Sequence, residues 1–194
     1  MAKDLRNSQR TRQKILVAAG GLLVEAGLRG FGVNAIAERA GCGKPLVYRY
    51  FGRRGAVLDA LAHARAGEAE RALKDQPPPK GSQLSEIVYR QVMFARILAG
   101  DAVLRALFRA HLSGDLGSAA ARALEDLAPR SGAKGDAGAA EAFLLAGISY
   151  VLMIRDFQDE CLSVAIKTPT DMAAFERAFV RLCSQVPGET PQSH

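Results

Sequence analysis

Residues 33–51, VNAIAERAGCGKPLVYRYF, carry the reading that decides the fold. Two short helical segments, about Val33 to Ala40 and Lys44 to Phe51, are joined by Gly41-Cys42-Gly43. Gly41 supplies a sharp turn, and the pair has the form of a helix-turn-helix. Ile36, Ala37, Ala40 and Val47 are the small and apolar residues that hold two helices at a steep angle. Pro45 stands in the first turn of the second helix, where its missing N–H costs nothing. Gly52 stops that helix. A short second helix of this kind fits a major groove about 12 Å wide while the first helix packs across it.

The flanking segments support the pattern. A helix over about Ser8 to Ala26 carries the apolar stripe Ile15, Leu16, Ala19, Leu22, Leu23 and Ala26, and Gly27 and Gly30 stop it. Another helix, about Arg53 to Lys74, has Val57, Leu58, Leu61 and Ala62 on one side. The charge is uneven. The whole chain carries a net charge of +6, yet residues 1–54 hold eleven Lys/Arg against three acids, which leaves residues 55–194 slightly acidic. A basic end on a near-neutral body fits a polyanion, nucleic acid first, and a plain solvated basic surface equally. Lys44, Leu46, Arg49 and Tyr50 are expected on the outer side of the second helix, with Tyr48 at its edge. Arg53 and Arg54 open the next helix, and Asn34 lies near the DNA backbone on the first helix of the pair. Phe51 is read as core. The basic arm from Lys3 to Lys14 reads as solvated, with insertion into a minor groove as the sharper alternative.

The run TRQKILVAAGGLLVEAGLRGFGVNAIAERAGCGKPLVYRYFGRRGAVLDAL resembles the DNA-binding domain of the TetR family of transcriptional regulators. The features that carry the resemblance are Arg12, Ile15, Ala18, Ala19, Glu25-Ala26-Gly27, Val33, Ile36-Ala37, Ala40-Gly41, Tyr48, Tyr50-Phe51 and a base at Arg54. They cover about residues 8–62 without a gap. The resemblance implies a homodimer that reads a palindromic operator, a four-helix interface from the last two helices, and a small-molecule pocket among the middle ones. It implies release of DNA when a ligand binds. Three positions depart from the pattern. Gly32 and Gly43 stand where Thr or Ser usually caps each helix, and Leu46 replaces a small or polar residue. A glycine cap is weaker by only a few tenths of a kcal/mol, and Leu46 can pack on a thymine methyl. Phosphate anchoring then leans on Lys44, Tyr48, Arg53 and Arg54.

The remainder reads as helix, with no convincing strand and no repeat. Pro77-Pro78-Pro79-Lys80-Gly81 separates two helical regions. Helices are expected over about Ser82–Ala99, to Leu112, to Leu127, over Ala139–Ala165 and over Thr170–Val186, with Pro129 to Gly138 as a loop. The expected architecture is all-α, about nine helices. A DNA-binding domain occupies residues 1–54, linked by helix 53–74 to a ligand-binding and dimerisation domain over 55–194. Ala142 to Ile154 is uncharged through thirteen residues, so it must be covered on all sides. Gly147, Val151, Ile154, Met172, Phe175, Phe179 and Leu182 are the expected dimer contacts. Tyr89, Met93, Phe94, Phe108, His111, Phe143, Tyr150, Met153 and Phe157 are pocket candidates, and core packing is the plainer role for each. Arg96, Arg105, Arg109 and Arg155 could meet an acidic ligand or pair with acids on the surface.

Several classes are set aside. No run reaches the ~20 apolar residues of a membrane span, and the polar start lacks a signal peptide's apolar core. Cys42, Cys161 and Cys183 are odd in number and widely spaced, which fits a reducing cytoplasm. Cys161 and Cys183 read as fillers on the two interface helices, and Cys42 as a structural rather than a redox thiol. His63, His111 and His194 are isolated, and no metal cluster, phosphate loop or nucleophile elbow is present, so neither enzyme activity nor a cofactor is expected. The expected partners are operator DNA, a second copy of the chain and a small effector. A ligand-binding or scaffold protein that kept the fold without reading an operator is the alternative, and Gly32, Gly43 and Leu46 favour it.

Overall fold

In the computed structural model, residues 2–76, 86–128 and 135–183 are described. Among them nine helices follow in order: α1 (Ala2–Gly30), α2 (Val33–Arg39), α3 (Lys44–Phe51), α4 (Arg54–Lys74), α5 (Glu86–Gly100), α6 (Ala102–Leu112), α7 (Ser118–Glu125), α8 (Gly135–Ile154) and α9 (Pro169–Cys183). A hairpin of β1 (Glu160–Cys161) and β2 (Val164–Ala165) lies between the last two. The fold is all-α, as the sequence predicts. The linker at Pro77–Gly81, most of the loop after Pro129 and the tail from Pro187 fall outside the described residues.

The chain groups into two units, and the grouping differs from a boundary at residue 54. The first takes the chain up to Glu68 together with Ala102–Asp126, so α6 and α7 join the reading helices. Two contacts explain this. A Cβ at the buried Gly20 would lie 3.3 Å from Val103 Cγ2, so the missing side chain lets α1 and α6 approach closely. The Asp59 carboxylate of α4 accepts the backbone N–H of Gly117, the N-cap of α7, at 2.9 Å. Glycine brings no capping side chain of its own, and the carboxylate both satisfies a free donor and complements the helix dipole. Ile15, Ala19, Leu23, Phe31, Ile36, Val47, Val57, Leu61, Leu104, Leu107 and Leu124 form the core of this unit.

Helix α1 begins earlier than the apolar stripe suggests, because residues before Ser8 continue the helix. Its regular part breaks where expected, at Gly27, whose φ of 59° favours glycine. Helix α6 ends at Gly114 (φ 76°). There Gly114 N–H donates to His111 O and Asp115 N–H to Ala110 O, which is the Schellman arrangement.

The second unit takes Ala69–Asp101 and the chain from Leu127 onward. Helices α5, α8 and α9 pack pairwise, with Val92, Phe94, Leu98, Ile148, Val151, Leu152 and Ile166 buried. The expected single helix to Ala165 is corrected: α8 stops at Ile154. The chain then turns back on itself. Arg155 donates to Lys167 O, Ile166 N–H to Asp159 O, and Lys167 pairs with Asp159 at 2.8 Å. Glu160 stands opposite Ala165 and Cys161 opposite Val164. The two residues between the strands, Leu162 and Ser163, both have positive φ, the backbone of a tight hairpin turn usually built with Asn and Gly. Their side chains hide the turn from sequence reading. Cys161 therefore lies in β1 and not on a helix. Helix α9 opens with a reciprocal capping box. Thr168 N–H donates to Asp171 Oδ2 and Asp171 N–H to Thr168 Oγ1. The Thr168 backbone N–H, with the Thr168 hydroxyl second, holds the Asp171 carboxyl below its ordinary range.

Candidate nucleic-acid interface

The turn between α2 and α3 is fixed by backbone chemistry. Gly41 N–H donates to Glu38 O and Cys42 N–H to Ala37 O, each at 3.0 Å. Gly41 has φ 61° and closes a Schellman motif that ends α2. A side chain there would meet open space, so the requirement for glycine is conformational and not steric. Gly43 then enters α3 in extended backbone, with no side-chain cap, and Gly32 does the same for α2. Both departures from the usual Ser or Thr are thus accommodated without a replacement bond from the side chain.

Helix α3 buries Val47 completely and half-buries Leu46, Tyr50 and Phe51. Lys44, Tyr48 and Arg49 are exposed, Tyr48 by half of its surface. Asn34 on α2 is exposed as well. The outer side of α3 therefore offers an ammonium, a phenol and a guanidinium, all of them donors suited to phosphate oxygens and base edges. Tyr50 stands on the side shared with Val47 and Phe51, so its ring is partly spent on packing. Arg53 precedes α4, where its carbonyl accepts from Ala56 and Val57, and its side chain is exposed.

Four supporting contacts escape sequence reading because they join residues far apart in the chain. The Arg12 guanidinium lies over the Phe51 ring, 5.1 Å from its centroid, and ties α1 to the end of α3. Arg54 Nη2 donates to Leu28 O at 2.9 Å, just past the break at Gly27. Arg54 is thus a structural tether as well as an exposed cation. Arg39 at the end of α2 forms a two-pronged pair with Glu25 of α1, with bonds of 2.5 and 2.6 Å. Its guanidinium lies across Gly21, where a Cβ would come within 2.7 Å of Arg39 Nη2. This pairing holds the Glu25 carboxyl below its ordinary range and raises Arg39 further.

Residues 15–61 match the model for bacterial regulatory proteins of the tetR family. The N-terminal segment is a TetR-family helix-turn-helix domain. Its match spans α1 from the buried Ile15 through α2 and α3 to the buried Leu61 of α4, so it covers the reading helices and their core. That TetR-type head is the head of a DNA-binding transcriptional regulator. A comparison with curated proteins gives no match.

The remaining candidate residues are divided between the two units. Phe108 and His111 lie on α6 of the first unit, whereas Tyr89, Met93, Phe94, Phe143, Tyr150, Met153 and Phe157 belong to the second. His111 Nε2 stands 3.3 Å from Glu125 Oε1 and joins α6 to α7, a structural partner for a residue read as a possible ligand contact. Met93 and Phe94 are buried, Tyr89 and Met153 half-buried. Phe143, Tyr150 and Phe157 are 78%, 57% and 70% exposed. Arg105, read as a surface or ligand-facing cation, is buried in α6. Of the residues expected between subunits, Val151 is buried, Ile154 and Phe175 half-buried, and Gly147 and Leu182 exposed. The side chains of Met172 and Phe179 fall outside the described residues. Among the described residues no group of three metal-ligating side chains occurs, and no helix is long and apolar enough to cross a membrane.

Proposed function

We propose that the protein is a ligand-responsive transcriptional repressor that binds a palindromic operator as a homodimer and leaves it when a small molecule binds. The observation that carries the reading is the exposed row Lys44, Tyr48 and Arg49 on α3, inside a segment that matches the tetR family. Arg49 and Leu46 read base edges. Asn34, Lys44, Tyr48, Arg53 and Arg54 hold phosphates, with Tyr50 supporting them from the inner side. Residues 1–54 act as the reading head and 55–194 as the regulatory part, in a cytoplasmic protein without cofactor or catalytic activity.

Dimerisation is supported by α8. Phe143, Gly147 and Tyr150 recur at helical spacing and are exposed on a segment without charge from Ala142 to Ile154. Such a face gains about 25 cal/mol per Å² of apolar surface when a partner covers it. Ligand control then works by population shift. A small molecule moves the heads only as far as its affinity differs between the bound and released arrangements.

The test is selection of bound fragments from randomised duplex DNA by the purified protein at rising salt. Enrichment of an inverted repeat supports a dimeric reader, and its half-site spacing gives the distance between heads. Retention without any shared sequence, lost steeply with salt, reduces the head to a basic surface. The reading as a ligand-binding protein without an operator would then replace it.

A further inference from the structure

The basic arm is not an extended strand of chain. It is the first part of α1, which runs as helix from Ala2. Arg6, Arg10 and Lys14 are exposed on it at successive four-residue steps, so they share one side over about 12 Å. Exposed Asn7 and Gln13 add amide donors along the same stretch. Like charges at this spacing repel and weaken a helix. Residues 5–24 contain no Asp or Glu, and among the described residues no acidic side chain pairs with Arg6, Arg10 or Lys14. Arg12, at a different angle on the same helix, faces inward over Phe51 at the end of α3. The Arg6, Arg10 and Lys14 row is thus on the side of α1 turned away from that contact, on a helix whose other side is fastened to the reading helix.

From this placement we infer that Arg6, Arg10 and Lys14 form a second phosphate-binding surface, which grips duplex backbone outside the segment that α3 reads. The inference rests on the DNA-binding reading above and extends its contact to a helix that carries no base-reading role. Duplex DNA presents one negative charge per ~1.7 Å of axis, so a row of this length meets several phosphates. A membrane surface fits less well. A helix that lies in lipid needs a broad apolar face of Trp, Phe or Leu beside its cations, whereas this row is flanked by the amides Asn7 and Gln13 and, among the described residues, by one exposed aliphatic side chain, Val17.

The experiment uses the full chain and a labelled random-sequence duplex of about 40 base pairs, with affinity followed across salt by fluorescence anisotropy. Each phosphate contact contributes about 0.9 to the slope of log affinity on log salt. R6A/R10A is expected to lower that slope by about two per bound chain, while helicity stays intact because alanine is the better helix former. R6K/R10K is expected to keep the slope, since point charges suffice for phosphates. R71A/R122A, which removes equal charge from exposed sites on α4 and α7, is expected to leave it nearly unchanged. A slope for R6A/R10A equal to the wild type, or to R71A/R122A, overturns the proposal and leaves DNA binding itself standing. Loss of binding to phosphatidylserine vesicles in R6A/R10A with DNA binding untouched overturns it in favour of a membrane. Absence of any duplex binding by the wild type overturns the DNA reading, and this contact with it.

Discussion

The Asp59 carboxylate holds the N-terminus of α7 through the Gly117 N–H, across 58 positions of sequence. A Cβ at Gly117 would come within 2.7 Å of Asp59 Oδ2, so a side chain there displaces the carboxylate from the bond it makes with the glycine. Loss of a helix cap costs about 1 kcal/mol. D59A is expected to lower unfolding stability by about that amount, and G117A by a similar amount as the carboxylate is displaced. The double variant is expected to cost little more than either one. Additive losses in urea unfolding would show that the two residues act separately.

The Glu25–Arg39 pair gives a pH signature of definite sign. Arg39 holds the Glu25 carboxyl below its ordinary range, so the pair stabilises the fold above that range. The contribution fades as acid protonates Glu25 through its lowered value. E25Q is therefore expected to be less stable than the wild type at neutral pH, with the gap closing as the pH falls through the lowered range of Glu25. A stability gap that stays constant with pH would remove the ion pair as its cause.

At Gly41 the backbone needs φ of 61°. A β-branched side chain is worst there, and left-handed backbone costs an ordinary residue about 1–2 kcal/mol. G41V is expected to destabilise the domain by at least that amount and to weaken DNA binding further by tilting α3. G41N is expected to recover much of both, because Asn tolerates this conformation. The check is thermal unfolding beside duplex binding. Equal losses in G41N and G41V would refute the conformational account.

Tyr48 and Arg54 are expected to separate binding from stability. Y48F removes only the exposed phenol hydroxyl, so it should weaken binding to all sequences alike and leave the melting temperature unchanged. R54A loses a cation and also the bond to Leu28 O, so it should reduce both. A melting temperature for R54A equal to the wild type would show that the tether carries no load.

I36A tests the core under the reading head. Ile36 is fully buried where α2 meets its neighbours. Truncation of such a side chain typically costs about 2–5 kcal/mol. Equilibrium unfolding is expected to show a loss in that range, and a loss below 1 kcal/mol would mean that the site collapses around the smaller residue.

The helix-turn-helix was legible because its signals are local. Gly41, Pro45, Gly52 and the apolar spacing of Ile36, Ala37 and Val47 act within a few residues, and the structure places each as those rules require. The hairpin after α8 was not legible. Its turn uses Leu162 and Ser163 where a tight turn usually advertises itself with Asn or Gly. Membership of α6 and α7 in the first unit was hidden for another reason. Gly20 and Asp59 decide it through Val103 and Gly117, and no periodicity links residues so far apart. Of the residues expected on the outer side of α3, Lys44 and Arg49 are exposed, as is Tyr48 at its edge, while Leu46 and Tyr50 are half-buried, Tyr50 because it shares an angular sector with Val47.

Gly20 and Gly21 are adjacent, yet each accommodates a different neighbour: Val103 of α6 at the first, the Arg39 guanidinium of α2 at the second. Successive residues on a helix point about 100° apart. The rotational phase of α1 is therefore keyed by two missing side chains, like a shaft with two adjoining notches. A residue inserted ahead of Arg6 lengthens the exposed stretch and leaves both notches, and Arg12 over Phe51, in phase with what they receive. A residue inserted between Gly21 and Glu25 keeps the notches but swings the carboxylate away from Arg39. The length of α1 is thus free at one end and counted to the residue at the other.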